Sequence, residues 1–286
     1  HCAHPLQRTS VVADTTVRLS WQNINVGMPE SYTVAYKATT DSTYTLLETS
    51  DTSLTITGLQ PLTNYTWKVR SNCSDGEHSD WSTEESFKTF QILTTMPYTC
   101  GFEDSLDNAL WNSYYQASTH QWCVGNAVQH NGQYSCYISH DNGVTYDIIN
   151  PSHGKAYLYR DFIFDPTYDE YVLEFNFKTF DTTNQTDISV YIESPASPDF
   201  VSPYGEIPVE VLRFSDTLWH PISITLNRTH SGIQRLIFEW TKDGHFIAKG
   251  SCAIDDITLT RVAFGRPYAL TASNINHHSA LLTWES

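Results

Sequence analysis

The chain has 286 residues and a formal net charge of −16, from 32 acidic and 16 basic side chains. Such a surface repels phosphate backbones and anionic lipid, which excludes nucleic-acid binding and docking on a membrane surface. Aromatic side chains make up 13% of residues, a mix suited to half-buried strands, and no run of about 18 apolar residues is present to insert into a bilayer.

From the N-terminus, short alternating runs predict strands over 17–20, 32–37, 44–48, 54–56, 65–71 and 85–89, with turn formers such as Asn25-Val-Gly27 and Asp41-Ser42 between them. Strands of this length and spacing predict a β-sandwich. Trp21, the segment Leu59-x-Pro61-x-Thr63-x-Tyr65 and the run Tyr65-x-Trp67-x-Val69 make residues 1–92 resemble a fibronectin type III domain. The resemblance implies an immunoglobulin-like sandwich with Trp21 in its core and a tyrosine corner at Tyr65. Cys2 and Val69-Arg70-Ser-Asn-Cys73 resemble the bacterial cell-surface version of that fold. Trp67 and Trp81 could serve as a ligand platform, but packing in or beside the core is the simpler reading. The module reads as a spacer.

Residues 93–262 follow a different pattern. Strict alternation marks Tyr171-Val-Leu-Glu-Phe-Asn-Phe177, Asp187-Ile-Ser-Val-Tyr-Ile192, Ile222-Ser-Ile-Thr-Leu226 and Arg235-Leu-Ile-Phe-Glu-Trp240, and the segment closes on Ala253-Ile-Asp-Asp-Ile-Thr-Leu259. About eight to ten such strands predict a jelly-roll β-sandwich. Phe102-Glu103, Trp122-x-x-Gly125, Ile138-Ser-x-Asp141-x-Gly143 and Ile254-Asp-Asp-Ile257 resemble the cleaved-adhesin or MAM-like jelly-roll family. That family occurs on bacterial surface proteins, including adhesin regions of secreted cysteine proteases. MAM domains carry a Cys shortly after the Phe-Glu segment, whereas Leu110-Trp111 here has none, so their disulfides do not transfer.

Six cysteines divide two and four between the domains, with no Cys-x-x-Cys. Even counts in a β-rich chain favour disulfides and an oxidising compartment over buried free thiols. Cys2 must join Cys73 if the first module pairs internally. In the second domain three pairings are open. Cys123 and Cys136 flank the hairpin signal Asn131-Gly132 and are expected to face each other, which leaves Cys100 with Cys252.

Jelly rolls place their first and last strands side by side, which would bring Glu103 and Asp104 towards Asp255 and Asp256. Four converging carboxylates repel unless a cation neutralises them, so a structural Ca²⁺ is expected at this set. Strand alternation, pointing some of them to solvent, is the competing reading. Asp141-Asn-Gly143 reads as a hairpin turn rather than a calcium loop. Trp111 and Trp122 match core positions of the family, Trp219-His-Pro221 reads as sandwich packing, and Tyr114 and Tyr115, in a loop-like stretch, are the candidate ligand-binding rings.

Residues 263–286 repeat the opening, with Ala280-Leu-Leu-Thr-Trp284 echoing Val17-Arg-Leu-Ser-Trp21, and are expected to be the truncated start of a further fibronectin type III module leaning on the jelly roll. At the position equivalent to Cys2 stands Phe264-Gly-Arg-Pro267. No Gly-x-Ser-x-Gly, His-Glu-x-x-His or phosphate loop is present, so no catalytic residues are assigned. The two family resemblances imply a non-catalytic adhesion or spacer region of a secreted or cell-surface bacterial multidomain protein. Its partners would be a glycan or extracellular protein and neighbouring modules of the same chain. A carbohydrate-binding region attached to a glycoside hydrolase, and an accessory region of a secreted protease, are the alternatives.

Overall fold

The computed structural model describes residues 2–116, 120–148, 154–168, 170–180, 186–227, 231–242, 250–262, 268–276 and 278–285. Its regular structure is nearly all strand, and the chain divides into two compact units, residues 1–93 with 196–201 and residues 94–195 with 202–286.

The first unit is a sandwich of seven strands: β1 (Leu6–Val12), β2 (Thr16–Gln22), β3 (Ser31–Ala38), β4 (Thr45–Thr49), β5 (Ser53–Thr57), β6 (Asn64–Asn72) and β7 (Glu85–Lys88). They form antiparallel sheets in the orders β1-β2-β5 and β4-β3-β6-β7. β6 shows why: Tyr65, Trp67, Val69 and Ser71 are buried while the residues between them are not, which is the period-2 pattern of a strand with one face on a core. Val17, Leu19, Trp21, Tyr32, Val34 and Ile56 complete that core. The Tyr65 hydroxyl accepts the backbone N–H of Gln60 at 2.9 Å, tying the preceding corner to the strand. Trp67 lies in the core, and the half-buried Trp81 lies under the guanidinium of Arg70 at 4.8 Å. Cys2 and Cys73 form a disulfide with Cα atoms 6.1 Å apart.

The second unit begins with β8 (Tyr98–Cys100), α1 (Ser105–Asn108), β9 (Asn112–Gln116), β10 (Gln121–Gly125), β11 (Ser135–Ser139) and β12 (Gly154–Phe164). It continues with β13 (Glu170–Thr179), β14 (Thr186–Glu193), β15 (Glu210–Leu212), β16 (Trp219–Asn227), β17 (Gly232–Lys242) and β18 (Cys252–Arg261). One antiparallel sheet runs β10-β11-β18-β13-β16, with β8 also paired to β18, and the other runs β15-β14-β17-β12-β9. Between them lie Phe102, Trp111, Trp122, Leu158, Phe162, Leu173, Phe175, Phe177, Phe238, Trp240, Ile254 and Ile257. β12 is buried along both faces, so its sequence does not alternate. Its core-facing Arg160 is held within the sandwich by a polar network. Arg160 donates to Thr94 Oγ1 (2.7 Å), to Asp107 Oδ1 (2.8 Å) and to the Tyr98 hydroxyl (2.8 Å). That hydroxyl also accepts the indole N–H of Trp111 and donates to Asp107 Oδ2.

The expected cysteine pairs of this unit do not form, and Cys100, Cys123, Cys136 and Cys252 are free thiols. β10 and β11 are antiparallel neighbours, but Cys123 lies opposite Tyr137 and Cys136 opposite Val124. That single register step sends the two side chains to opposite faces of the sheet. β8 does pair with β18, as first and last strands of a jelly roll should. Cys100, however, lies opposite Ile257, midway along β18 and roughly 16 Å from Cys252 at strand rise.

Two further strands, β19 (Tyr268–Ser273) and β20 (Leu281–Glu285), pair with each other and with no other strand among the described residues. Leu19 of the first unit is fully buried, whereas its sequence counterpart Leu282 is 53% exposed. Among the described residues the hairpin therefore lacks the packing that the repeat has in the first unit. Residues 264–267 lie outside the described residues.

Candidate functional site

Three of the four acids singled out in the sequence, Glu103, Asp255 and Asp256, gather around one turn, residues 128–134, and Glu103 and Asp255 hold it through its backbone. Glu103 Oε1 accepts the N–H groups of Gln133 (2.7 Å) and Tyr134 (2.9 Å). Asp255 is fully buried and accepts three: His130 (2.9 Å) and Asn131 (3.2 Å) on Oδ2, and Asp256 (2.8 Å) on Oδ1. Burial pushes its carboxyl above the usual carboxylate range, against the pull of those three donors. Asp256 Oδ2 lies 2.6 Å from His130 Nδ1 and accepts Asn176 Nδ2 at 3.2 Å. Asp104 does something else: it caps α1 by accepting the N–H of Leu106 at 2.9 Å. Gly132 takes φ +65°, a conformation that glycine adopts without strain, and a Cβ there would come within 2.2 Å of Glu103 Oε1 and displace that side chain. The Asn131-Gly132 signal thus marks a close approach inside a longer connection between β10 and β11, not a two-residue hairpin.

The expected convergence of four carboxylates on one cation is therefore not found. No three His, Cys, Asp or Glu side chains among the described residues are grouped as a metal ion would require. A calcium shell needs oxygens aimed at the ion, and this turn presents N–H groups to Glu103 and Asp255 instead. Asp141 is likewise used locally. It accepts Ser139 Oγ (2.7 Å), Thr145 N–H (2.9 Å) and Thr145 Oγ1 (2.8 Å), and these donors hold its carboxyl far below the usual range.

Tyr114 and Tyr115 lie on the edge strand β9 rather than in a loop, opposite Tyr157 and Ala156 of β12. Both are exposed, at 44% and 51%, but as neighbours on a strand they leave on opposite faces and form no common platform. The Tyr114 ring sits 6.1 Å from that of Tyr157, whose hydroxyl bonds Ser202 Oγ at 2.9 Å. Trp111 and Trp122 are buried at the positions expected. Trp219 is not sandwich packing: it is half-buried and outside the core cluster, with its ring edge-on to His130 at 5.5 Å and Lys178 Nζ 5.8 Å away. No sequence signal links Trp219, Lys178, His130 and Asp256, which come from four separate segments. Only the register of β13 with β16 and the turn held by Asp255 bring them together. No helix among the described residues is long and apolar enough to cross a membrane.

The family model described as a fibronectin type III domain matches residues 4–88. None of the curated proteins compared matches the chain. Among solved structures, one from a study of carbohydrate-binding modules of the β-sandwich superfamily is similar at 13% identity, covering 91% of this chain and 99% of that one, with a TM-score of 0.37. The fn3 domain of human contactin 1 is similar at 20% identity, covering 33% of this chain and 82% of that one, with a TM-score of 0.30. The FN5 domain of Drosophila Lar is similar at 19% identity, over 31% of this chain and 97% of that one, with a TM-score of 0.27.

Proposed function

We propose, from a fibronectin type III domain at residues 4–88 followed by a second β-sandwich, that the chain is a non-catalytic binding and spacer region of an extracytoplasmic bacterial protein. The first unit acts as a disulfide-closed spacer. The second, read as a cleaved-adhesin or MAM-like jelly roll, takes a glycan or an extracellular protein as ligand. One observation carries this reading. Asp255 and Glu103 are committed to backbone N–H groups, Asp107 to Arg160, and Asp161 to a bidentate bond with Arg235 (2.7 and 2.9 Å). Tyr114 and Tyr115 are exposed rings on the surface of the second unit. The Cys2–Cys73 bond supports an oxidising compartment.

The test is binding of the whole chain to an array of neutral and acidic glycans together with collagen, fibrinogen and fibronectin. Saturable binding to any of these, without turnover, is expected. Hydrolysis of an arrayed glycan or protein would overturn the non-catalytic reading, and binding to none of them would overturn the binding role.

A further inference from the structure

We propose that Trp219, His130, Asn176, Lys178 and Asp256 form a binding subsite for a neutral sugar ring on the outer face of the six-stranded sheet. This rests on the binding-region reading above and names where its glycan sits. A sheet face turned away from the core is ordinarily polar, and a half-buried tryptophan there calls for a reason. Trp219 lies opposite Lys178, and Pro221 lies opposite Asn176, so these side chains share one face at adjacent register positions. Asp256 joins them through a bulge. The β13–β18 register slips between Glu174 and Asn176, and Asp256 takes φ +52°, a left-handed conformation that a non-glycine residue adopts only under constraint. The bulge turns Asp256 towards Asn176 Nδ2 (3.2 Å) and His130 Nδ1 (2.6 Å), while His130 stands edge-on to Trp219 (5.5 Å).

The patch is open to solvent, with the side chains of His130 and Asp256 35% and 28% exposed. Its parts are preset: Asp255 fixes the turn bearing His130, and the others stand on strands or on the bulge. The indole, with the Lys178 ammonium over its ring at 5.8 Å and His130 packed at a steep angle to it, stands beside a carboxylate and an amide, an apolar surface among donors and acceptors. That is the chemistry that seats the C–H face of a pyranose and takes up its hydroxyls. Charge selects among sugars. With a net charge of −16 the chain disfavours sulfated, sialylated or uronic ligands, which leaves neutral hexoses or pentoses.

The experiment is calorimetric titration of the whole chain with cellohexaose, laminarihexaose, mannohexaose and xylohexaose, following tryptophan fluorescence in parallel. At least one is expected to bind, with a fluorescence change, and Trp219→Ala and Asn176→Ala are each expected to weaken it tenfold or more. Trp219→Phe keeps a ring against His130 and is expected to bind with intermediate affinity. It also guards against a variant that simply fails to fold, as does an unchanged melting temperature in Asn176→Ala. Oligosaccharide binding that survives both alanine variants, or that is lost on Tyr114→Ala alone, would overturn this site and leave the binding role standing. Binding to an extracellular protein with none of the four sugars would do the same. Binding to nothing at all would remove both.

Discussion

Replacing Tyr98 by Phe should destabilise the second unit without altering its shape. The Tyr98 hydroxyl has one proton to give and two lone pairs, and all three are used: it donates to Asp107 Oδ2 (2.7 Å) and accepts from Arg160 (2.8 Å) and the Trp111 indole (3.0 Å). Phe fills the same space, so the transfer and cavity contributions are near zero, and the loss is polar. Trp111 would keep a buried N–H with no acceptor, at a cost of about 1–3 kcal/mol. Arg160 retains Thr94 and Asp107, so the bonds lost by the charged pair add only about 1 kcal/mol more. The sum is about 3 kcal/mol, which for a unit of this size is a fall of roughly 6–12 °C in its melting temperature. Differential scanning calorimetry of wild type and Tyr98→Phe, with the near-ultraviolet circular dichroism of the folded states compared, measures it. A fall of less than about 2 °C with unchanged spectra would refute the claim that this hydroxyl satisfies buried groups of Arg160 and Trp111.

Reduction, or Cys2→Ser, should cost the first unit about 4 kcal/mol from the loop that the Cys2–Cys73 bond closes, read as a shift in its urea midpoint. A maleimide should label Cys123 first in the native protein, because Cys100, Cys136 and Cys252 are buried and burial pushes all four thiols up; equal labelling of all four would contradict the packing. For Asp107, burial opposes the charge, but Arg160 and Tyr98 outweigh it and hold the carboxyl below its ordinary value. Its contribution to stability is therefore present above about pH 4 and lost as pH falls through the depressed value, so Asp107→Asn should flatten the acid limb of a melting-temperature profile. EDTA is expected to leave the melting temperature unchanged, since Glu103 and Asp255 already hold backbone N–H groups; a drop reversed by Ca²⁺ would show that these acids regroup around a cation.

Strands with one wet face were readable in the sequence, because a period of 2 survives there: β2, β6 and β13 fall where alternation places them. β12 was invisible for the opposite reason. Covered on both sides, it carries Tyr157, Arg160 and Asp161 inside and shows no alternation to detect. The cysteines failed on register, a property of two strands at once. Spacing around Asn131-Gly132 said that β10 and β11 pair but could not say that Cys123 meets Tyr137. Glu103, Asp255 and Asp256 meet around one turn, and Asp104 caps α1 instead. What they hold was not legible, because hydrogen bonds to the backbone of a turn leave no mark on the identity of the turn's residues. Trp219 was misread for a related reason: its neighbours are assembled by a bulge at Asp256 that no local signal announces.

The pairing of β8 with β18 also decides how the second unit would respond to being pulled. The chain enters at Tyr98 and leaves after Leu259, and these two residues face each other across the ladder. Tension along the polypeptide therefore acts on one end of a ladder of only three residue pairs and peels them in turn, rather than shearing them together. The first unit meets the same load differently, because the bond from Cys2 to Cys73 carries force past everything between them and leaves only the stretch beyond Cys73 free to lengthen. A surface tether built this way would give first at β8, extending by unravelling its jelly roll while the disulfide-closed module stays short.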